Sequence, residues 1–133
     1  MAGEDVLAVN AEVLNRYATA WMAGDIKTIF ACYHDDFTVH YDGRNPLAGT
    51  HAGKPAALAA MAEISRRSGR RLVEVMEVLP GVRRSVLVVR ESFHRDDLTA
   101  EVERVLTYTI RDGLFHACWV HDQDQALIDK FLA

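Results

Sequence analysis

The segment LFHACWVHDQDQ, residues 114–125, carries a carboxylate, Asp122, at the end of a run that alternates in character. If that run is a strand, Asp122 shares one face with Cys118 and Val120, because side chains alternate with a period of two. A carboxylate beside an apolar pocket is desolvated and its pKa rises, which suits proton transfer next to a carbonyl. The plainer reading makes Asp122 or Asp124 the cap of a following helix. Two tyrosines could donate hydrogen bonds to a ligand oxygen: Tyr17 in NRYATAW, on a stripe with Asn10 and Trp21, and Tyr41 at the end of FTVHY. Either could equally be a core aromatic with its hydroxyl satisfied by backbone.

Other patterns exclude chemistries. Six histidines invite a metal reading, but neither His34-Asp35-Asp36 nor His40 nor His121-Asp122 has zinc-like spacing. Neighbours on a strand point to opposite faces, so no metal and no cofactor are expected. His116 could sit on the pocket face and His51 in the lid loop, and either could assist proton transfer, though a surface histidine is the commoner case. The stretch GTHAGKP, residues 49–55, imitates a phosphate loop but is one residue short and has Pro where Ser or Thr would hold magnesium. It reads as the lip of a pocket. Net charge is −4 with short basic clusters, which argues against nucleic acid. Cys32 and Cys118 set no disulfide framework and suit a reducing cytoplasm. The acidic start MAGEDVLAVNAE is not that of a signal peptide, and no apolar run reaches membrane-spanning length.

Elements must bring these residues together. Residues 4–22 read as a helix with Leu7, Asn10, Leu14, Tyr17 and Trp21 on one stripe. Gly24 can end it and Asp25 can cap a second helix that buries Ile26, Ile29, Phe30 and Tyr33. A strand at 37–42 follows, and Pro55 opens a third helix with Leu58, Met61, Ile64 and Ser65 inward and Gly69 past its end. Strands then run over 71–79, 82–94, 99–111 and 114–121, turning at Pro80-Gly81, Asp96-Asp97 and Asp112-Gly113. A closing helix turns Leu127, Ile128 and Phe131 inward. The order predicts a single domain, residues 1–133, of the α+β class, with helices packed on an antiparallel sheet.

Short turns fix registers, so the strands can be laid out rung by rung. Val73, Val88, Val105 and Val120 fall opposite one another. Val75, Val86, Thr107 and Cys118 form the rung on one side, and Arg71, Arg90, Glu103 and Asp122 the rung on the other. The charged rung could line the pocket and bind a polar ligand, or form a solvated ladder worth about a few tenths of a kcal/mol per pair. Burial separates the two readings. The opposite face, with Met76, Leu87, Leu106, Tyr108, Ala117 and Trp119, is also apolar. One face should meet the helices and the other a second copy of the chain, giving a homodimer.

The segments RYATAWMAGDIKTIFACYHDDFTV, NPLAGTHAGKPAAL, YTIRDGLFHACWVHD and ALIDKFLA resemble the nuclear transport factor 2-like superfamily. The resemblance is nearest to its SnoaL-like, ketosteroid-isomerase-related branch. It implies a cone-shaped, cystatin-like α+β barrel with a pocket between the first and third helices and the concave sheet face. It also places the 37–42 strand beside the last strand. Ketosteroid isomerases need a carboxylate base, a Tyr and a protonated acid. Tyr17 matches the Tyr, but Tyr41 holds the base position, Asp42 is displaced by one, and the partner acid falls near the apolar Val105. Steroid isomerisation is therefore not expected.

The cyclase branch resembles a design with one acid–base Asp near the end of the last strand, which Asp122 fits. Epoxide hydrolases of the superfamily place an Arg between carboxylates, but their sequence pattern is absent around Arg90. The resemblance thus implies a pocket for a small hydrophobic molecule bearing a carbonyl or hydroxyl. Asp122, Tyr17 and Tyr41 are its candidate catalytic residues for cofactor-free isomerase, cyclase or hydrolase chemistry. Trp21, Met61, Arg90, Glu103, Cys118 and Val120 are its candidate ligand contacts. A non-catalytic ligand-binding or interaction module on the same fold is the alternative, and a transport-factor-like partner binder has only the fold behind it.

Overall fold

The structure, a computed structural model, describes residues 3–133. The elements are α1 (Gly3–Ala23), α2 (Ile26–Ala31), β1 (Tyr33–Tyr41), β2 (Gly49–His51), α3 (Lys54–Ser68), β3 (Arg71–Leu79), β4 (Ser85–Arg95), β5 (Leu98–Arg111), β6 (Leu114–Asp122) and α4 (Gln125–Leu132). Asp25 caps α2 by accepting from the Thr28 N–H at 3.2 Å and the Thr28 hydroxyl at 2.6 Å. Asp124 does the same for α4, accepting from Leu127 N–H at 3.1 Å. Pro55 lies in the first turn of α3, and Gly69, at φ 54°, ends that helix in the left-handed conformation its side-chain-bearing neighbours would resist.

The strands form one sheet in the order β2-β1-β6-β5-β4-β3. Neighbours are antiparallel except β1 and β6, which run parallel, so the first strand does sit beside the last. The sheet curls around the helices: α1 packs on β3 and β4, and α3 on β1 and β4. α4 plugs one end, burying Ile128, Phe131 and Leu132, with Phe131 set 5.6 Å from Phe93. Burial of side chains of this size stabilises by roughly 1.5–3 kcal/mol each. The lip between β1 and β2 leans on α4, where Asn45 donates to Asp129 at 2.8 Å. Gly43 turns the lip there at φ 103°, a backbone conformation that a side-chain-bearing residue rarely adopts.

Three expectations are corrected. Between β4 and β5 the rungs are as laid out, with Val88 opposite Val105 and Arg90 opposite Glu103. Between β5 and β6, Ile110 pairs with Phe115 but Thr109 pairs with Ala117, leaving His116 in a bulge. The extra residue moves the rest of β6 by one place, so Val120 faces Leu106 and Asp122 faces Arg104. Between β3 and β4 the strands stop at Leu79 and restart at Ser85, so the connection is longer than a Pro-Gly turn, and two further irregularities follow. The third correction concerns burial, because Leu7, Ile26 and Phe30 are exposed rather than core. Tyr33 is buried as expected, but it opens β1 instead of closing α2.

Candidate functional site

The concave face carries Leu87, Val89 and Glu91 from β4 and Val102, Arg104, Leu106 and Tyr108 from β5, all buried. The bulge at His116 brings Cys118, Val120 and the Asp122 side chain to the same face. Between this face and helices α1, α2 and α3 lies a cavity of about 340 Å³. Ile26 and Phe30 of α2 line it and are exposed, which places them at its mouth.

One wall is aromatic. The hydroxyls of Tyr17 and Tyr33 are 2.6 Å apart and share a hydrogen bond. Tyr17 meets Phe115 edge-on at 4.9 Å, Tyr108 stacks on Phe115 at 4.2 Å, and Tyr33 leans on Phe37 at 4.4 Å. Burial raises the pKa of Tyr17, against the opposing pull of the Tyr33 hydrogen bond, and burial raises Tyr33 and Tyr108 as well. These phenols stay neutral and can donate. Burial pushes the Cys118 thiol up to about 12, so it is an inert packing group.

The other wall ends in buried charge. Arg104, 1% exposed, donates from Nε to Asp122 Oδ1 at 2.6 Å, from Nη2 to Asp122 Oδ2 at 3.3 Å and from Nη1 to Glu91 Oε1 at 3.2 Å. Arg70 Nε lies 3.6 Å from the other Glu91 oxygen, while its Nη2 donates to Ser65 Oγ at 3.1 Å and Met61 O at 3.3 Å. Phe93 lies beneath the Arg104 guanidinium at 5.3 Å. Desolvation acts against the charge of both arginines. The attraction of Glu91, joined by Tyr41 on Arg70 and by Asp122 on Arg104, outweighs it, and both pKa values are raised. Burial likewise raises Tyr41, more than the two arginines lower it. Two guanidinium groups and two carboxylates thus form a neutral, enclosed set, of which Arg70, Glu91 and Arg104 face the cavity.

Of the residues expected from the sequence, Tyr17, Trp21, Tyr41, Met61, Cys118 and Val120 are brought together on the cavity wall. The Asp122 side chain is buried on that side, 3% exposed, but lies behind Arg104 with both oxygens engaged, so its expected place on the wall is corrected. Arg90 and Glu103 are corrected too: they lie on the outer face, where Arg90 pairs with Glu74 at 2.9 Å. His116 lies in the bulge and His51 in the lip, its ring 2.7 Å from Leu47 O, and neither lines the cavity. Sequence reasoning missed Glu91, Arg104, Arg70, Tyr33 and Tyr108. A signal for two of them exists: Leu87-Val89-Glu91-Phe93 and Val102-Arg104-Leu106-Tyr108, read at every second residue, are apolar stripes each interrupted by one charge. Among the described residues, the group of histidines and carboxylates close enough to share an ion lies outside the cavity.

The fold matches solved structures along nearly its whole length. Bal32a, from a soil-derived mobile gene cassette, is 24% identical, covers 96% of this chain and 99% of its own, and superposes with a TM-score of 0.85. An NTF2-like protein of Burkholderia xenovorans is 22% identical over 96% of this chain and 98% of its own, with a TM-score of 0.77. TerC, solved with polyporic acid, is 20% identical over 93% of this chain and 98% of its own, also at 0.77. No curated protein sequence matches this chain. The curled α+β fold is therefore NTF2-like, and with residues 14–117 matching the SnoaL-like domain, the chain belongs to the SnoaL-like domain family.

Proposed function

We propose that this protein binds a hydrophobic small molecule bearing a carbonyl or hydroxyl oxygen. One observation carries the reading: an aromatic-walled cavity of about 340 Å³ ends on neutral phenols and on Arg70, Glu91 and Arg104. That volume lies within the range of small-molecule sites, which pair mostly apolar walls with a few polar anchors. The co-crystallisation of TerC with polyporic acid supports the reading by fold analogy. Tyr17 and Tyr41 are the proposed hydrogen-bond donors, and Trp21, Met61, Cys118 and Val120 the packing wall.

Thermal denaturation against a panel of hydrophobic ketones, phenols and matched hydrocarbons tests this. Oxygen-bearing compounds should raise Tm where the hydrocarbons do not, and Tyr17→Phe should weaken the best of them roughly tenfold, the worth of about one hydrogen bond. A panel in which hydrocarbons do as well, or nothing binds, would sink the proposal.

A catalytic reading has the set Glu91–Arg104–Asp122 behind it, two carboxylates on one guanidinium beside a ligand space. It would be cofactor-independent acid–base chemistry of the isomerase, cyclase or hydrolase kind, with Asp122 or Glu91 moving the proton. Binding is the better-supported reading, because the oxygens of both carboxylates already face arginine nitrogens and Asp122 lies behind Arg104, off the cavity wall. Once a ligand is found, Glu91→Gln and Asp122→Asn divide the readings: an enzyme loses turnover and keeps binding.

We further propose that a second copy covers the outer sheet face, where Val73 and Val105 are exposed. Val105→Arg should convert dimer to monomer in light scattering, and a wild-type monomer would end that idea. Two free, buried cysteines fit a cytoplasmic setting, and no helix of the described residues is long and apolar enough to cross a membrane.

A further inference from the structure

We infer that the junction of β1 and β6 holds a binding site for a divalent transition-metal ion of the zinc type, built from His34, Asp36 and His116. The ligating atoms of these three side chains lie within 4.8 Å of one another. The site is independent of the cavity, since none of the three lines it.

It exists because the strand ladder is interrupted there. β1 and β6 are in register at Tyr33 opposite Phe115 and again at Thr38 opposite Ala117. Between those rungs β1 spends residues 34–37, whereas β6 spends only the bulged His116. Alternation carries Tyr33 and Phe37 into the cavity wall and turns His34 and Asp36 outward together. The bulge aims His116 at the same spot, so the two imidazole rings meet nearly perpendicular at 5.4 Å. Spacing along the chain could not reveal this set, because its third member arrives from another strand some eighty residues away.

The chemistry of the donors selects the ion. Two imidazoles and a carboxylate suit zinc, nickel or copper rather than magnesium or calcium, which take oxygen ligands. Tetrahedral zinc with bonds of about 2.0–2.1 Å needs ligand atoms about 3.3 Å apart, so each side chain must close by roughly an ångström. The His34 side chain is 17% exposed; its Nδ1 accepts from the Asp36 N–H at 3.0 Å, a bond that an ion must displace, and Asp112 Oδ2 lies 3.4 Å from its Nε2. Asp112 adds negative charge at the rim. Arg111 opposes, with its Nη1 placed 3.2 Å from His116 Nε2, but it is exposed and free to swing away. Three protein ligands leave the remaining position to water, so the ion would exchange rather than be locked in.

Calorimetric titration of zinc ion into the metal-free full chain tests the inference. One equivalent should bind, and His34→Ala and His116→Ala should each weaken it tenfold or more. Asp36→Asn, a change at an exposed side chain that leaves the fold alone, should weaken it several-fold. Arg111→Gln should tighten it, because a like charge and a competing donor are removed, an effect no merely structural role for Arg111 would produce. In imidazole NMR spectra of the wild type, zinc should shift His34 and His116 before His51 or His94. Absence of binding, binding unchanged in the two histidine variants, or first shifts at His51 or His94 would each overturn the site.

Discussion

Arg90 and Glu103 stand opposite each other on the outer face of β4 and β5, and Glu91 and Arg104, one residue along each strand, stand on the inner face. The two sets use the same groups and nearly the same backbone. Outside, Arg90 reaches Glu74 at 2.9 Å and Glu101 at 4.0 Å, with side chains 37%, 50% and 58% exposed. Inside, Arg104 holds Glu91 and Asp122 with all three side chains 3% exposed or less. Water screens the outer set and competes for every hydrogen bond, whereas the inner set must satisfy itself. One step of strand parity therefore decides whether a salt bridge is a solvated ornament or part of the core.

The largest expected effect follows from cutting the inner set. Arg104→Met leaves Glu91 and Asp122 buried without their shared partner and should destabilise by roughly 3–5 kcal/mol, read from the urea midpoint. Replacing all four charges of the set together (Arg70→Met, Glu91→Leu, Arg104→Met, Asp122→Leu) should recover most of that loss, because no charge is then stranded. Ligand binding should be lost in both variants, which would separate the cluster's role in function from any role in stability. If Arg104→Met alone were as stable as the wild type, the cluster would have to be more hydrated than its burial implies.

Alkaline pH attacks the same face by another route. Burial pushes Cys118 up to about 12 and raises Tyr17, Tyr33 and Tyr108, so the folded state holds protons that the unfolded chain releases sooner. For such groups the stability is complete below the unfolded pKa and is lost as pH rises towards the folded one. Stability should fall by a few kcal/mol between about pH 9 and pH 12. Cys118→Ala should flatten the start of that decline, and the thiol should resist alkylation at pH 8 until urea unfolds the chain. A flat profile through this window would mean that the inner face is wetter than the structure indicates.

Most of the fold was legible because periodicity and punctuation agree. The stripe Asn10, Leu14, Tyr17 and Trp21, the Asp25 and Asp124 caps, Pro55 at the start of α3 and Gly69 at its end each act through local physics. The site was legible only in part, since it depends on the parity of β6. Counting outward from the Asp112-Gly113 turn places Asp122 opposite Glu103, and a single bulge at His116 places it opposite Arg104 instead. No local residue preference marks that bulge, which is stabilised by what it brings inward: Cys118 and Val120 against the helices, and a carboxylate for a buried arginine. The apolar stripes through Glu91 and Arg104 hold the correction, because an isolated charge among inward-facing residues needs a partner across the sheet.

A smaller effect is expected at the phenol pair. Tyr17→Phe removes one of two hydroxyls 2.6 Å apart and leaves Tyr33 without that partner, for a loss of about 1–2 kcal/mol in stability. Tyr17→Phe combined with Tyr33→Phe should cost less than the sum of the single changes, since neither hydroxyl of the pair is then left without the other. Additive losses would show that each hydroxyl has another partner.

The smallest effect belongs to the outer rung. Arg90→Ala takes away a half-exposed guanidinium from Glu74 and Glu101, and pairs of this kind contribute about 0–1 kcal/mol. Its Nε is buried without a hydrogen-bond partner, so the substitution also removes an unsatisfied donor, which offsets part of the loss. The net change in the urea midpoint should correspond to less than about 0.5 kcal/mol and should shrink further in high salt, as screened pairs do. Ligand affinity should be unchanged, because the side chain points away from the cavity. A loss comparable to that of Arg104→Met would place Arg90 in a buried interface, and the same measurement on dilute, dissociated protein would then reveal whether a second copy of the chain is what buries it.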